Sequence, residues 1–463
     1  MIPNPLKNIP SVNELLQSPP LAKLVDRLSR NVVVSTVRTV LDEARVEVQA
    51  AAAERTLPSV SELAERIVRR ISEGDPHGPR AVVNATGVLL HSELGSPPLA
   101  DRAVEEMAAV AANYTAAEAD PTAAAEGILE GLLGELTGAE AATVVQSGAA
   151  ATMLTLAALV APREVVVSRA HLIETEPGCR VADLISAAGA VLREVGTANI
   201  TRVEDYTGAI GERTAALMMV HPGDFLMAGS TAGVTLEELV DVGRPHKLPV
   251  ILLAPFAALI DCSPFGLTDQ PIVSEAVKAG ADVVLLQGDK LLGGPRSGIV
   301  VGRRALVDQI ARHPIRRAFD PDKPTAAALA ATLGLYRDPD QARQAIPLLR
   351  LLSTSADNLQ NRAERLAPQI AATSAVAKAE PQTGLAHLCP QPIATHQLPT
   401  CRIVIEPAEM SADRLAEALR SGNPSVVGRV EQNRLILDLR SVLPRQDIDL
   451  TTAFESLDSE QPA

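Results

Sequence analysis

Gly288-Asp289-Lys290-Leu291-Leu292-Gly293-Gly294-Pro295 follows the apolar run Val283-Val284-Leu285-Leu286. The run reads as a buried strand, and the glycines and proline after it read as a tight turn. A lysine set between two apolar segments is costly to bury as an ammonium. Burial of that kind favours the neutral amine, which is a nucleophile toward a carbonyl cofactor. The glycines allow backbone to approach a flat ligand closely. The plainer alternative is a lysine on an exposed turn with no chemistry. A second segment bears on the choice. Val144-Val145-Gln146-Ser147-Gly148-Ala149 reads as strand, turn and helix start, and the free N–H groups and dipole of that helix favour an anion. Ser147, Gly148 and Ala149 are therefore candidates for a cofactor phosphate, unless the segment is only a tight turn.

Outward from these segments the chain alternates short apolar runs with longer helical stretches. Candidate strands are Glu164–Ser168, Val191–Val195, Ala215–His221, Val250–Ala254, Asp282–Gln287 and Gly298–Gly302. Their spacing fits βα units in a mostly parallel sheet. Only the lysine turn separates the last two, which predicts an antiparallel return there. His221 ends a strand and is a candidate for stacking on a ring or handling a proton; a buried structural histidine is the alternative. After Tyr336 come helices near Ala345–Leu352 and Asn358–Leu366, then a proline-rich stretch at 381–399. Strands Cys401–Ile405 and Arg434–Leu439 flank a helix at Ser411–Arg420, and residues 457–463 read as a disordered tail.

The first 80 residues differ. Residues 21–56 contain no Pro or Gly and carry Leu24, Val25, Leu28, Val32, Val37, Val40 and Leu41 at helical spacing. Lys23, Arg27, Arg30 and Arg38 share one helical face. That stripe is either a solvated face or a track for RNA phosphate. Ser59-x-x-Glu62 is a capping pattern that opens a second helix, and 74–79 reads as a linker. The expected division is a helical domain at 1–80, a large domain at 81–336 and a small α+β domain at 337–463.

Composition narrows the classes. The 463 residues are 46% hydrophobic but only 2% aromatic, so cores are built from Ala, Val and Leu. The net charge of −14 opposes indiscriminate nucleic-acid binding. Residues 1–80 nevertheless carry 11 Lys and Arg against 10 Asp and Glu, so the acidity lies elsewhere. The four cysteines form no C-x-x-C pair, and neither a disulfide framework nor a metal site is expected. No membrane span or leader is legible at the N-terminus, which points to the cytoplasm.

Several blocks together resemble one family. Ile9-Pro10-Ser11-Val12, Asn84-Ala85-Thr86-Gly87-Val88, Thr137-Gly138-Ala139-Glu140, Ser168-Arg169, Val220-His221, Gly288 to Pro295, Arg317-Ala318 and Val427-Gly428-Arg429-Val430-Glu431 follow, in order, the pattern of bacterial selenocysteine synthases. The resemblance implies an α/β fold of the pyridoxal-phosphate-dependent transferase kind (aspartate-aminotransferase type), a mostly parallel sheet with helices on both faces. It implies pyridoxal 5'-phosphate on Lys290, seryl-tRNA(Sec) and selenophosphate as substrates, and conversion to selenocysteinyl-tRNA(Sec) through an aldimine and a dehydroalanyl intermediate. It also implies tRNA contact by the N-terminal domain and a homo-oligomer of dimers, commonly a decamer.

The chain departs from the family pattern at marked places. Leu253 stands where the family has the Asp that pairs with the pyridine nitrogen. Asp320 replaces the second arginine of Arg-Ala-x-Arg, Ser96 replaces the arginine of Asn-Leu-Gly-Arg, and Pro121-Thr122-Ala123 replaces an Arg-Gly-x-Arg signature. Arg169, Arg180, Arg296 and Arg317 are the candidates to supply the missing positive charge to anionic substrates. Two readings follow: a working selenium transferase, or a homologue that keeps fold and RNA contact without turnover.

Overall fold

The structure, a computed structural model, describes residues 10–21, 30–50, 59–73, 80–115, 121–390 and 396–459. Contacts divide the chain into two compact units with the boundary between Ala81 and Val82.

In the first unit, helices α1 (Arg30–Ala50) and α2 (Val60–Glu73) share a core of Val33, Val37, Leu41, Leu63 and Ile67. Leu15, from a short helix at Val12–Leu16, joins it. The expected cap on α2 is present: the Glu62 N–H donates to Ser59 Oγ at 3.2 Å, and the Ser59 N–H to Glu62 Oε2 at 2.6 Å. Lys23, Arg27 and the 74–79 linker lie outside the described residues. Arg30 opens α1, and Arg38 is exposed on it.

The second unit is built on a seven-stranded sheet. Its strands in chain order are β1 (Ala141–Val145), β2 (Glu164–Ser168), β3 (Val191–Val195), β4 (Thr214–Val220), β5 (Val250–Leu253), β6 (Val283–Gln287) and β7 (Gly298–Gly302). The spatial order is β1-β7-β6-β5-β4-β2-β3. Pairings β6–β5, β5–β4, β4–β2 and β2–β3 are parallel. β7 runs antiparallel to both neighbours, as the short turn requires. Alternation along each strand feeds two cores. Val284 and Leu286 face one with the helices Asp101–Ala112, Pro121–Thr137 and Lys323–Leu335; Val283, Leu285 and Leu253 face the other with α3 (Gly148–Leu159). The C-terminal ends of the parallel strands share one edge, where such folds place ligands.

The C-terminal part departs from expectation. The proline-rich 381–399 stretch is largely a long hairpin, Val376–His387 with Gln397–Pro407, while 391–395 lie outside the described residues. Pro381 is tolerated because its strand is the edge of the four-stranded sheet. Of the tail read as disordered, 457–459 end a helix whose Leu450 and Phe454 are buried, while 460–463 lie outside the described residues. Nor does the segment before the sheet belong only to it. Val82–Asn84 pairs in parallel with Ser425–Val427, and Val83 packs in the C-terminal core. Asn84 to Val88 form a turn: Asn84 Oδ1 accepts from the Thr86 N–H at 3.1 Å, and Gly87 adopts φ 76° against Asp438.

Candidate active site

Lys290 sits just past β6, in a cavity of about 370 Å³ at the ligand-bearing edge of the sheet. The turn that presents it depends on glycine: a Cβ at Gly288 would collide with Ser297 Oγ and the Pro295 carbonyl. Asp289 is held from outside, accepting from Ser96 Oγ at 2.9 Å. The Lys290 Nζ lies 5.3 Å from the centroid of the buried Phe256 ring, a cation–π distance. Gly223 makes room for that ring, since a Cβ there would strike it. The lysine is less enclosed than an apolar setting predicts. Its side chain is 21% exposed, and its Nζ is 3.7 Å from Glu176 Oε1. Arg296, also on the cavity wall, is 3.9 Å from Glu176 Oε2. Of the four arginine candidates, this one shares the cavity with Lys290.

Asp224 and Cys389 complete the chemical lining. Burial pushes the Asp224 carboxyl up from its ordinary value, with Lys290 pulling the other way. Burial pushes the Cys389 thiol up to about 12, so it is a protonated wall and not a nucleophile. His91 also lines the cavity, and its Nδ1 is buried without a hydrogen-bond partner among the described residues.

The other candidates lie elsewhere. Ser147 is the N-cap of α3 and accepts from the Ala150 N–H at 3.2 Å, which leaves the Gly148 and Ala149 N–H groups for an anion. Gln287, three residues before Lys290, lays its side chain directly against Gly148. The Gln146 N–H donates to the Phe319 carbonyl at 2.9 Å, docking the 314–319 turn beside this helix start. Arg317 on that turn is 79% exposed, whereas its neighbour Arg316 is buried, ion-paired with Asp320 and donating to the Val144 carbonyl at 3.3 Å. Arg180 is exposed beside Asp183. Arg169 lines a separate cleft with Arg193 and Arg202, bonded to Glu194 at 2.9 Å.

His221 belongs to a buried polar cluster. Its backbone N–H donates to the Leu253 carbonyl at 2.8 Å, and its ring Nδ1 has no partner among the described residues. Burial lowers its pKa, while Asp269 opposes the shift. His396 Nε2 is 2.9 Å from Asp269 Oδ1. Burial and the neighbouring His221 push His171 down to about 4, and His171 Nδ1 accepts weakly from the Val220 N–H at 3.5 Å. A neutral His171 is therefore built in. The unfolded chain binds its proton near pH 6.5 and the folded chain near 4, so stability is lost as pH falls through that window. At pH 5 the loss is about 2 kcal/mol from this residue. Denaturant unfolding of His171→Gln against the parent at pH 7 and pH 5 checks it: the variant should lose markedly less.

Reading the sequence alone misses Glu176, Asp224, Phe256 and Cys389. Glu176 reaches the cavity from a strand of a small hairpin and the others from separate loops, and none carries a local pattern. The buried Arg316 has one signal, the four-residue spacing to Asp320, that turns the departure at Asp320 into an internal pair.

Pyridoxal phosphate needs an amine, a flat apolar face and an anion cradle. Lys290, the space against Phe256, Arg296 and the unpartnered His91 nitrogen fit the first two and add polar contacts. The N–H groups of Gly148 and Ala149 are the anion cradle the chain offers, outside the lining of that cavity and with the Gln287 side chain against Gly148. Leu253 does not fit a ring-nitrogen partner: it is 3% exposed within an aliphatic core.

Residues 82–443 match the L-seryl-tRNA selenium transferase family, and residues 6–45 match the N-terminal domain of selenocysteine synthases. The chain is 37% identical to L-seryl-tRNA(Sec) selenium transferase of Carboxydothermus hydrogenoformans, over 96% of each chain. It is 39% identical to that of Geobacter sulfurreducens, over 97% of this chain and 99% of the relative. Among solved structures, D-glucosaminate-6-phosphate ammonia-lyase superposes with a TM-score of 0.60 at 21% identity, covering 82% of this chain and 96% of that one. That likeness is one of fold alone, an α/β architecture with a mostly parallel sheet.

Proposed function

The chain belongs to the L-seryl-tRNA(Sec) selenium transferase family, and from that premise we propose that it converts seryl-tRNA(Sec) to selenocysteinyl-tRNA(Sec), with selenophosphate as donor and pyridoxal 5'-phosphate as cofactor. The observation that carries the proposal is Lys290 on a glycine-built turn inside a cavity that also holds Arg296. Bound pyridoxal phosphate supplies an electron sink that lets a β-substituent leave. The protein does the rest. The Lys290 amine would anchor the cofactor, with Glu176 Oε1 3.7 Å away as the carboxylate beside it. Asp224, with its carboxyl pushed up by burial, is the proton-holding group on the wall. Phe256 excludes water from one side, and Arg296 faces an anionic group of the incoming substrate.

In this reading residues 1–80 contact the tRNA, the molecule assembles as a homo-oligomer of dimers, up to a decamer, and it works in the cytoplasm. No helix among the described residues is long and apolar enough to cross a membrane. Arg38 is exposed on α1, as a phosphate contact requires. Reversing Arg27, Arg30 and Arg38 to Glu should weaken tRNA binding about tenfold or more. It should also flatten the salt dependence by roughly one unit of log–log slope per lost contact. Filter binding at several salt concentrations reads both, and unchanged binding returns the stripe to a solvated face.

The direct test supplies purified protein with pyridoxal phosphate, seryl-tRNA(Sec) and selenophosphate, then identifies the aminoacyl group by mass spectrometry. Selenocysteinyl product is expected. Leu253 in the aliphatic core favours a second reading, a homologue that binds the tRNA without turnover. Retained tRNA binding with no product would establish that one instead.

A further inference from the structure

Asp224 reaches the cavity from a turn that its surroundings must hold. Pro222-Gly223-Asp224 closes on itself: the Asp224 N–H donates to the Pro222 carbonyl at 2.8 Å, around Gly223 at φ 72°. A three-residue turn with positive φ at its centre is the strained form of the γ-turn, and such strain persists only where neighbours fix it. Packing fixes one side, since the Gly223 α-carbon lies against the Phe256 ring. On the other side the Gly223 carbonyl accepts from Gln270 Nε2 at 3.4 Å. Gln270 is buried, and the residue after it is pinned, because the Ala258 N–H donates to the Pro271 carbonyl at 2.9 Å. The neighbours decide how its amide is turned. Nε2 also faces Asp269 Oδ1 at 3.3 Å and His396 Nε2 at 2.8 Å. Turned over, the amide would set its oxygen against a carbonyl and a carboxylate. As it stands, Oε1 is buried with no partner among the described residues, which costs free energy. The side chain forgoes a hydrogen bond at its oxygen to keep its nitrogen on the turn. The buried His396, 2.9 Å from the same Asp269 oxygen, completes the cluster around it.

We infer that Gln270 is a positioning residue for the proposed reaction: it anchors the Gly223 carbonyl and so fixes the Asp224 carboxyl, with the Phe256 ring beside the turn, relative to Lys290. The inference rests on the proposed function in taking Asp224 as the proton-holding group. Gln270 is not among the residues that line the cavity, so it acts through the turn and not on a substrate.

Gln270→Met keeps the length of the side chain and removes both donors. In the full chain without ligands, hydrogen exchange of the 222–226 backbone, followed by mass spectrometry, should quicken at least about fivefold while 283–290 keeps the parent's rate. With pyridoxal phosphate, seryl-tRNA(Sec) and selenophosphate supplied, kcat should fall at least about tenfold and KM for the tRNA should stay within about twofold, as a misplaced group predicts. The pair with Asp224→Asn separates positioning from mere support. Once that carboxyl is gone, Gln270→Met should lower kcat no further. A glutamine that only supports the fold would lower kcat by the same factor in both backgrounds, and that result overturns the inference, as does unchanged exchange at 222–226. Gln270→Glu, which keeps the shape and exchanges the donor for an acceptor, gives the same readings if the methionine variant folds poorly. Gln309→Met removes a comparable bond elsewhere, from Gln309 Nε2 to the Ala158 carbonyl at 2.6 Å, and should behave as the parent. If exchange at 222–226 quickens but the parent itself makes no selenocysteinyl product, the anchoring of the turn stands and the proposed function falls.

Discussion

Replacing Lys290 by alanine is expected to abolish both the long-wavelength absorbance band with pyridoxal phosphate and the formation of selenocysteinyl-tRNA(Sec), the latter by at least about 10³-fold. The amine is the nucleophile, and the wall residues around it do not replace it: Cys389 is pushed up to about 12 by burial, and Asp224 is a carboxyl. Lys290→Arg sharpens the result. A guanidinium remains charged at any working pH and cannot attack a carbonyl, yet it keeps the attraction to Glu176. It should therefore be as inactive as alanine while unfolding near the parent's midpoint. Turnover surviving in either variant would remove Lys290 from the chemistry.

The largest expected loss of stability lies far from the cavity. Arg362 and Asp447 are each 8% exposed in their side chains, and they join two C-terminal helices through bonds of 2.5 and 3.2 Å. Arg362 also donates to the Val442 carbonyl at 3.0 Å, and Arg365 reaches the same carboxylate. Asp447→Ala leaves a buried guanidinium with one remaining neutral acceptor. The cost should be about 3–5 kcal/mol in denaturant unfolding. Asp447→Asn, which can still accept, should lose less. A loss under about 1 kcal/mol for the alanine variant would mean that water reaches the arginine.

Much of the fold is legible because buried parallel strands announce themselves. Val283 to Leu286 and Val250 to Leu253 are unbroken aliphatic runs, since both faces of the sheet are covered. The antiparallel return after Gln287 follows from too few residues for a crossover. The C-terminal hairpin is not legible, because Pro381 looks like a breaker until its edge position is known, and Pro399 until its strand is seen to meet its second neighbour only from Arg402 on. The site divides in the same way. Lys290 and Arg296 are read from one local turn, and the Gly148 helix start from another. Glu176, Phe256 and Asp224 arrive by tertiary approach, which no spacing encodes. Leu253 could be read only as a departure from a pattern; the structure adds that its side chain is buried in an aliphatic core.

The pairing of Val82–Asn84 with Ser425–Val427 has a consequence for how this chain is made. The ribosome releases the first strand some 340 residues before its partner. Until then Val83, buried in the finished protein, and the Ala85 N–H, which finally donates to the Val427 carbonyl at 2.8 Å, have no native place to go. That strand waits unpaired, and unpaired strands invite neighbouring chains. Truncation between Gly302 and Val427 should thus yield aggregates and not a smaller enzyme.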